Sequence, residues 1–310
     1  MKTLRILTIL SVSLALTSCI AEDNTLCFPK ENVTLLFSLP DGAGNDIFAG
    51  NISAVDVIIY DVAGTYIVTQ HVDKEALAKF QGVRMQLKPG AYYLICWGNA
   101  HDNTKYNGIE NLSVPTVTYS VINTGNTVGN IDPLYYAGSI ATRAANLPGA
   151  CYVTIPETGG WQGTAIFTAA HRQIEIYVKG YNETGNTLPN VELTNLPAGL
   201  CLSNMAQLSD RSIVGSRRAT QSVTVQGQQY AAAHFRTFPF EDNNSITINI
   251  ISPITNKPIF DVTLREAMAQ GINSDPIVIR IVIEFKSTGV TVTIPKWNSE
   301  DIGFGFGHGY

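Results

Sequence analysis

Cysteine and histidine are the side chains best suited to covalent chemistry or metal binding, and this 310-residue chain holds five of each. The histidines, His71, His101, His171, His234 and His308, are scattered. His101-Asp102 has the look of a catalytic pair, yet no G-x-S-x-G, H-E-x-x-H or Walker-type phosphate loop accompanies it. Four of the cysteines, Cys27, Cys96, Cys151 and Cys201, lie in the body of the chain, and none forms a C-x-x-C pair. Neither zinc nor a thioredoxin-like site is implied. Oxidised, the four can pair in three ways, and spacing does not choose among them. Cys96 sits in an apolar strand and reads as a buried packing residue. Asp41-Gly-Ala-Gly-Asn-Asp46 has some look of a calcium loop but lacks the downstream acid that such a loop needs, so it reads as a Gly/Asp turn. The expectation is a protein with no catalytic site, no metal and no cofactor.

The fifth cysteine, Cys19, stands apart. Lys2 and Arg5 are the only charges in the first eighteen residues, and Ile6 to Leu16 is an apolar stretch broken only by small hydroxyl residues. Eleven residues make a secretory h-region and fall short of the ~20 needed to cross a bilayer. Leu16-Thr17-Ser18-Cys19 resembles the lipobox of bacterial lipoproteins. There the bond before the cysteine, here Ser18–Cys19, is cut, the thiol takes a diacylglycerol and the new amino terminus is acylated. Two or three chains make anchoring effectively permanent, since each buried methylene contributes about 0.8 kcal/mol. Position 20 is Ile rather than the Asp of inner-membrane retention, so outer-membrane sorting is expected. Glu22 and Asp23 resemble the acidic surface-export signal of lipoproteins from gut and oral anaerobes.

Cutting at Cys19 leaves 292 residues and removes two basic residues, taking the net charge from −5 to −7. That balance, without a Lys/Arg cluster, argues against nucleic acid as a partner. Only 15% of residues are charged, while Thr, Ser, Asn, Val and Ile abound, as in an ordered extracellular β-protein.

Strand signals follow one another. VTLLFSL (33–39) alternates, with Val33, Leu35, Phe37 and Leu39 on one face. AVDVIIYD turns Val55, Val57 and Ile59 inward, and Asp61 to Gly64 is a turn returning into TYIVTQ as a hairpin. Asp73 is placed to cap a short helix, DKEALAKF. VRMQL and AYYLICWGN are strand-like, divided by Pro89-Gly90. Ile174, Ile176 and Val178 alternate in a later strand. Thr263 to Glu266 forms a capping box for a helix that Gly271 can end, and PIVIRIVIEF with VTVTIPKW makes a last hairpin around KSTG. PETGG, near 156–160, is a Pro/Gly-rich seam.

The pattern gives an all-β protein: two tandem antiparallel β-sandwich domains, each with a short helix. The divisions are a leader at 1–18, a lipidated linker at 19–32, sandwiches at 33–156 and 161–298, and a Gly/aromatic tail at 299–310.

The lipobox, the alternating first strand, V-x-V-x-I-Y-D-x-x-G over Val55–Gly64 and L-x-P-G-x-Y-x-L-x-x-W-G-N over Leu87–Asn99 together resemble the FimB-type fimbrillin-associated anchor family. A looser match runs from Thr164 to Gly180. The resemblance implies transthyretin-like sandwiches and a minor subunit, anchor or accessory, that holds fimbriae to the outer membrane and contacts other fimbrial subunits. Fimbrillins of this broad class polymerise after an arginine-specific protease sheds their first strand, opening a groove for a neighbour's strand. Here no arginine occurs between Cys19 and Arg84, which is expected inside the sandwich, so the first strand should stay.

The far end offers a joint. In DIGFGFGHGY, Ile302, Phe304, Phe306, His308 and Tyr310 alternate with glycine, the pattern of a strand donated to another subunit's groove. The competing reading is a surface glycan-binding lipoprotein of a polysaccharide-uptake system, with a glycan or host molecule as ligand. Trp161 and Tyr135-Tyr136 would be its aromatic platform, though the two tyrosines read more simply as packing at the domain seam.

Overall fold

The computed structural model describes residues 31–112, 115–139, 151–183, 187–208, 213–240, 245–271, 275 and 277–297. In chain order its strands begin with β1 (Val33–Ser38), β2 (Val55–Asp61), β3 (Tyr66–Val72), β4 (Gly82–Met85), β5 (Gly90–Gly98), β6 (Thr104–Asn107) and β7 (Thr116–Tyr119). There follow β8 (Ile122–Asn123), β9 (Thr127–Val128), β10 (Tyr135–Ser139), β11 (Cys151–Ile155), β12 (Trp161–Ala169), β13 (Arg172–Lys179), β14 (Asn190–Pro197) and β15 (Gly199–Cys201). The last are β16 (Ile213–Ala219), β17 (Gln221–Val225), β18 (Gln228–Thr237), β19 (Thr247–Ile251), β20 (Pro258–Thr263), β21 (Val278–Lys286) and β22 (Gly289–Thr293). Three short helices interrupt them: α1 (Phe48–Asn51), α2 (Lys74–Lys79) and α3 (Leu264–Met268).

The local signals hold. Asp73 accepts from the Ala76 N–H at 2.9 Å and caps α2. Thr263 and Glu266 close a reciprocal capping box on α3, which ends at Met268. The β2–β3 turn is closed by Gly64 N–H to the Asp61 carbonyl, with Gly64 at φ +83°, a conformation that costs glycine nothing. β21 and β22 pair as the expected final hairpin. Asp41 accepts from the N–H groups of Ala43 and Asn45, and Asp46 from those of Leu39 and Phe48, so this loop is tied by Asx-type turns.

Eight strands form the first sheet, in the order β3-β2-β5-β10-β12-β1-β4, with β11 also on β5. All eight contribute to one buried cluster that includes Val33, Leu35, Phe37, Val57, Leu94, Cys96, Ala165 and Phe167, so the sheet wraps round its own core. The β17-β18-β13-β21-β22 and β20-β19-β14-β16-β9-β8 sheets sandwich a second core, with Ile174, Ile176 and Val178 facing Val191, Leu193 and Ile248. Ile58, Tyr60, Ile95 and Trp97 belong to this second core, not the first. β2 and β5 are therefore buried on both faces, which explains why each reads as a nearly unbroken apolar run.

Strand pairing crosses the 156–160 seam. β12, assigned from sequence to the C-terminal sandwich, is hydrogen-bonded between β10 and β1 in the N-terminal sheet. In the other direction β7 pairs with β15, and β9 with β16. PETGG joins two strands of one sheet, β11 and β12, and the chain leaves that sheet only after Ala169. Among the described residues three pairings, β1–β12, β13–β21 and β16–β9, are parallel.

Candidate functional site

The leading strand is the first element whose placement bears on function. β1 lies between β12 on one side and β4 on the other, its backbone engaged along both edges. Val33 and Leu35 are fully buried and Phe37 nearly so, with the Phe37 ring against Phe48 and Phe167. Burying three such side chains is worth roughly 1.5–3 kcal/mol each. Arg84 stands opposite Thr34 in the β4 ladder. Its side chain is not inside the sandwich as expected from sequence: it is exposed, with its guanidinium 4.5 Å over the Phe80 ring. The reason is the two-residue period of β4, which sends Val83 and Met85 inward and Arg84 out.

The W-G-N segment does structural work at the seam between the two halves. Asn99 adopts φ +62°, which Asn tolerates better than most residues. Its Oδ1 accepts from the Ser53 N–H at 2.8 Å, and its Nδ2 donates to the Asn51 and Pro133 carbonyls. Trp97 donates from Nε1 to the Leu202 carbonyl. Tyr136 tilts against Trp97, with ring centroids 5.1 Å apart, and donates its hydroxyl to the Ser203 carbonyl. The Tyr135 ring lies edge-on to His171. Both tyrosines are thus seam packing, as the simpler reading of the sequence has it.

Around the seam opens a cleft of about 750 Å³. One wall comes from residues 48–53, α2 and the 99–103 loop, the other from His171, Gln173, Arg236 and the start of β21. Asp132 organises the near side: it accepts from the backbone N–H groups of His101, Asp102 and Asn103 and from the Thr104 hydroxyl. His101 and Asp102 stand 3.4 Å apart, with Asp102 largely in solvent. His171 is buried, and burial pushes its imidazole down to about 4 despite a 2.8 Å bond between Nδ1 and the Leu134 carbonyl. Burial likewise lowers the Arg236 pKa, partly offset by the nearby Asp132 charge.

Open ladder edges are where another chain can add a strand. Among the described residues these include β3 and β4 in the first sheet, β17 and β22, β20 and β8 in the two that sandwich the second core, and β15 and β6 in the three-stranded β15-β7-β6 sheet. Ile67 and Val68 on β3, Ile259 on β20 and Ile122 on β8 remain substantially exposed.

Cys96 is fully buried, as its apolar strand implies. Cys201 is half-buried and is not bonded to Cys96. Ser18, Cys19, Glu22, Asp23 and Cys27 lie outside the described residues, as do Ile302, Phe304, Phe306, His308 and Tyr310. Sequence reasoning missed Asp132 and Arg236, whose roles depend on partners from distant segments. Asn99 was visible in the motif, but not its bonds to Ser53, Asn51 and Pro133.

A profile of fimbrillin-A associated anchor proteins, Mfa1 and Mfa2, matches residues 22–303. The chain belongs to that family. Its fold is similar to that of the fimbrial anchor protein Mfa2 from Porphyromonas gingivalis, at 17% identity and a TM-score of 0.59, covering 86% of this chain and 97% of that one. A candidate adhesin from Bacteroides ovatus gives a TM-score of 0.66 at 13% identity, over 90% of this chain and 97% of that one. A candidate polysaccharide-binding protein from Bacteroides thetaiotaomicron gives 0.63 at 12% identity, over 87% and 99%. At these identities the structures carry the fold alone. No curated protein matches the chain in sequence. Membership of the anchor family supports a fimbrium-associated role at the cell surface.

Proposed function

We propose that this member of the anchor family is an outer-membrane lipoprotein that terminates a fimbrial fibre at the membrane and catalyses nothing. Its tether is the acylated Cys19, exposed by cleavage after Ser18, and Glu22 and Asp23 direct it to the cell surface. It joins neighbouring subunits by strand pairing, with Ile302, Phe304, Phe306 and Tyr310 as the donated strand. The two sandwiches act as one body, because β7 and β9 of the first half pair with β15 and β16 of the second.

The observation that carries the reading is the setting of β1. It is bonded along both edges and packed into the core, and no arginine precedes Arg84 in the mature chain. An arginine-specific protease has no site at which to shed it. Cleavage at Arg84 itself would cut within a paired strand of the same sheet. A subunit that keeps its first strand and carries lipid at its start offers a neighbour no groove at that end, and so stops the fibre there.

Fimbriae purified from cells expressing the Cys19→Ala variant test the reading. Fibres released into the medium are expected. Fibres attached at normal levels would remove the anchoring role and leave an accessory one. Deleting 301–310 tests the joint separately: fimbriae still attached at normal levels would dismiss the donated strand.

A further inference from the structure

The β17-β18-β13-β21-β22 sheet buries side chains on both of its faces. Its inner face carries Ile174, Ile176, Phe235 and Ile281 into the second core. The two-residue period sends Tyr177, Tyr230, Ala232 and Val282 to the other face, where a solvated layer is expected. They are buried there all the same, Tyr177 and Ala232 fully, in a third cluster completed by Val223 and Val225 of β17.

Trp297 reaches that cluster from beyond the last strand. Its ring meets Tyr177 edge-on with centroids 5.0 Å apart, and Tyr230 at 5.4 Å. The strand register shows the route. Thr293, at the end of β22, stands opposite Val282, Val282 opposite Tyr177, and Tyr177 opposite Ala232. β22 is one edge of the sheet, so between Thr293 and Trp297 the chain doubles over the outer face to lie above β13 and β18. That is a crossing of two strand spacings, each about 4.8 Å. The next strand in the same direction is β17, whose Val223 stands opposite Tyr230.

β17 is the opposite edge, paired only with β18 among the described residues. An edge strand turns half of its N–H and C=O groups outward, ready for another strand. Its two faces differ: Val223 and Val225 are buried in the third cluster, while Ser222 and Thr224 are exposed. Residues 298–310 follow Trp297, and at about 3.3 Å each they can pass β17 and run along it. Their sequence suits those two faces. Ile302, Phe304 and Phe306 share one side of an extended chain, and Gly303, Gly305 and Gly307 the other. Laid along β17, the large residues would extend the cluster of Val223, Val225 and Tyr230. The glycines would lie beside Ser222 and Thr224, where no cover is needed.

We propose that the C-terminal segment docks on its own chain as a sixth strand on the open edge of β17, with Ile302, Phe304 and Phe306 on the third cluster. Trp297 is the clasp that carries it across the sheet. The docking belongs to the lone subunit: donating the same residues to a neighbour would require their release, and anchoring through Cys19 does not depend on it.

Hydrogen exchange read by mass spectrometry on the full mature chain, and on one ending at Asn298, tests this. The amides of residues 221–225 are expected to exchange at least about tenfold more slowly in the full chain, as paired edge amides do, and equally so at every protein concentration. Phe304→Ser combined with Phe306→Ser, at unaltered length, should lose the same protection. Equal exchange at 221–225 in the full and shortened chains would overturn the proposal, as would protection that survives the double substitution. Protection that grows with protein concentration and accompanies a dimer would place the segment on a second copy and overturn it too.

Discussion

Trp97 and Leu202 are joined by a hydrogen bond of 2.9 Å, from the indole N–H to the main-chain carbonyl, across 105 residues of sequence. Both residues are fully buried. The bond sits where the eight-stranded sheet turns its second face to the C-terminal core, so it couples the two halves directly. Replacing Trp97 by Phe removes the donor, strands a buried carbonyl and leaves a small cavity. The expected loss is about 3 kcal/mol. Chemical denaturation followed by both far-ultraviolet circular dichroism and fluorescence should show one transition at a lower midpoint. An unchanged midpoint would mean that the seam is not stabilised there.

Asn99 combines a left-handed backbone with a side chain that binds two segments, 51–53 and Pro133. Asn99→Gly keeps the backbone relaxed but loses the bonds to Ser53, Asn51 and Pro133. Asn99→Ala loses the same bonds and adds strain of about 1 kcal/mol. Alanine should therefore be the more destabilising of the two by that margin in paired denaturation curves. Equal losses would contradict the backbone part of this account.

His171 links stability to pH. In the unfolded chain it takes a proton near its ordinary 6.5, whereas burial holds it to about 4 in the fold. Between those values the unfolded state binds more protons, so stability rises with pH across that window. The contribution is complete above about 6.5 and is lost as pH falls towards 4. Its ceiling is about 3 kcal/mol, from the linkage constant of 1.36 kcal/mol per pKa unit. Denaturation midpoints at pH 7.5 and 4.5 should converge for His171→Gln relative to the parent. Parallel shifts in the two proteins would rule His171 out as the source.

The elements legible in the sequence are those governed by neighbours along the chain. The alternation of Val33, Leu35 and Phe37, the Asp73 and Thr263 caps and the hairpins at Gly64 and Gly289 needed only local physics. Parallel pairing of β1 with β12 brings together Val33 and Trp161, and nothing within either strand encodes that choice. The same holds for two-sided burial. Ile58 and Tyr60 look like the outward residues of a half-buried strand until the second core covers them. Arg236, in AAAHFRTF, reads as one more outward position of an alternating strand. Its partly buried setting beside Asp132 is made by a segment more than a hundred residues away in sequence, which the strand itself does not encode.

The tether and the retained strand are tested together by mass spectrometry of the mature protein isolated from native outer membranes. An amino terminus at Cys19 bearing diacylglyceryl and acyl groups, continuous through residues 33–38, is the predicted result. An unmodified Cys19 sulfur, or a chain that begins beyond Ser38, would contradict the account.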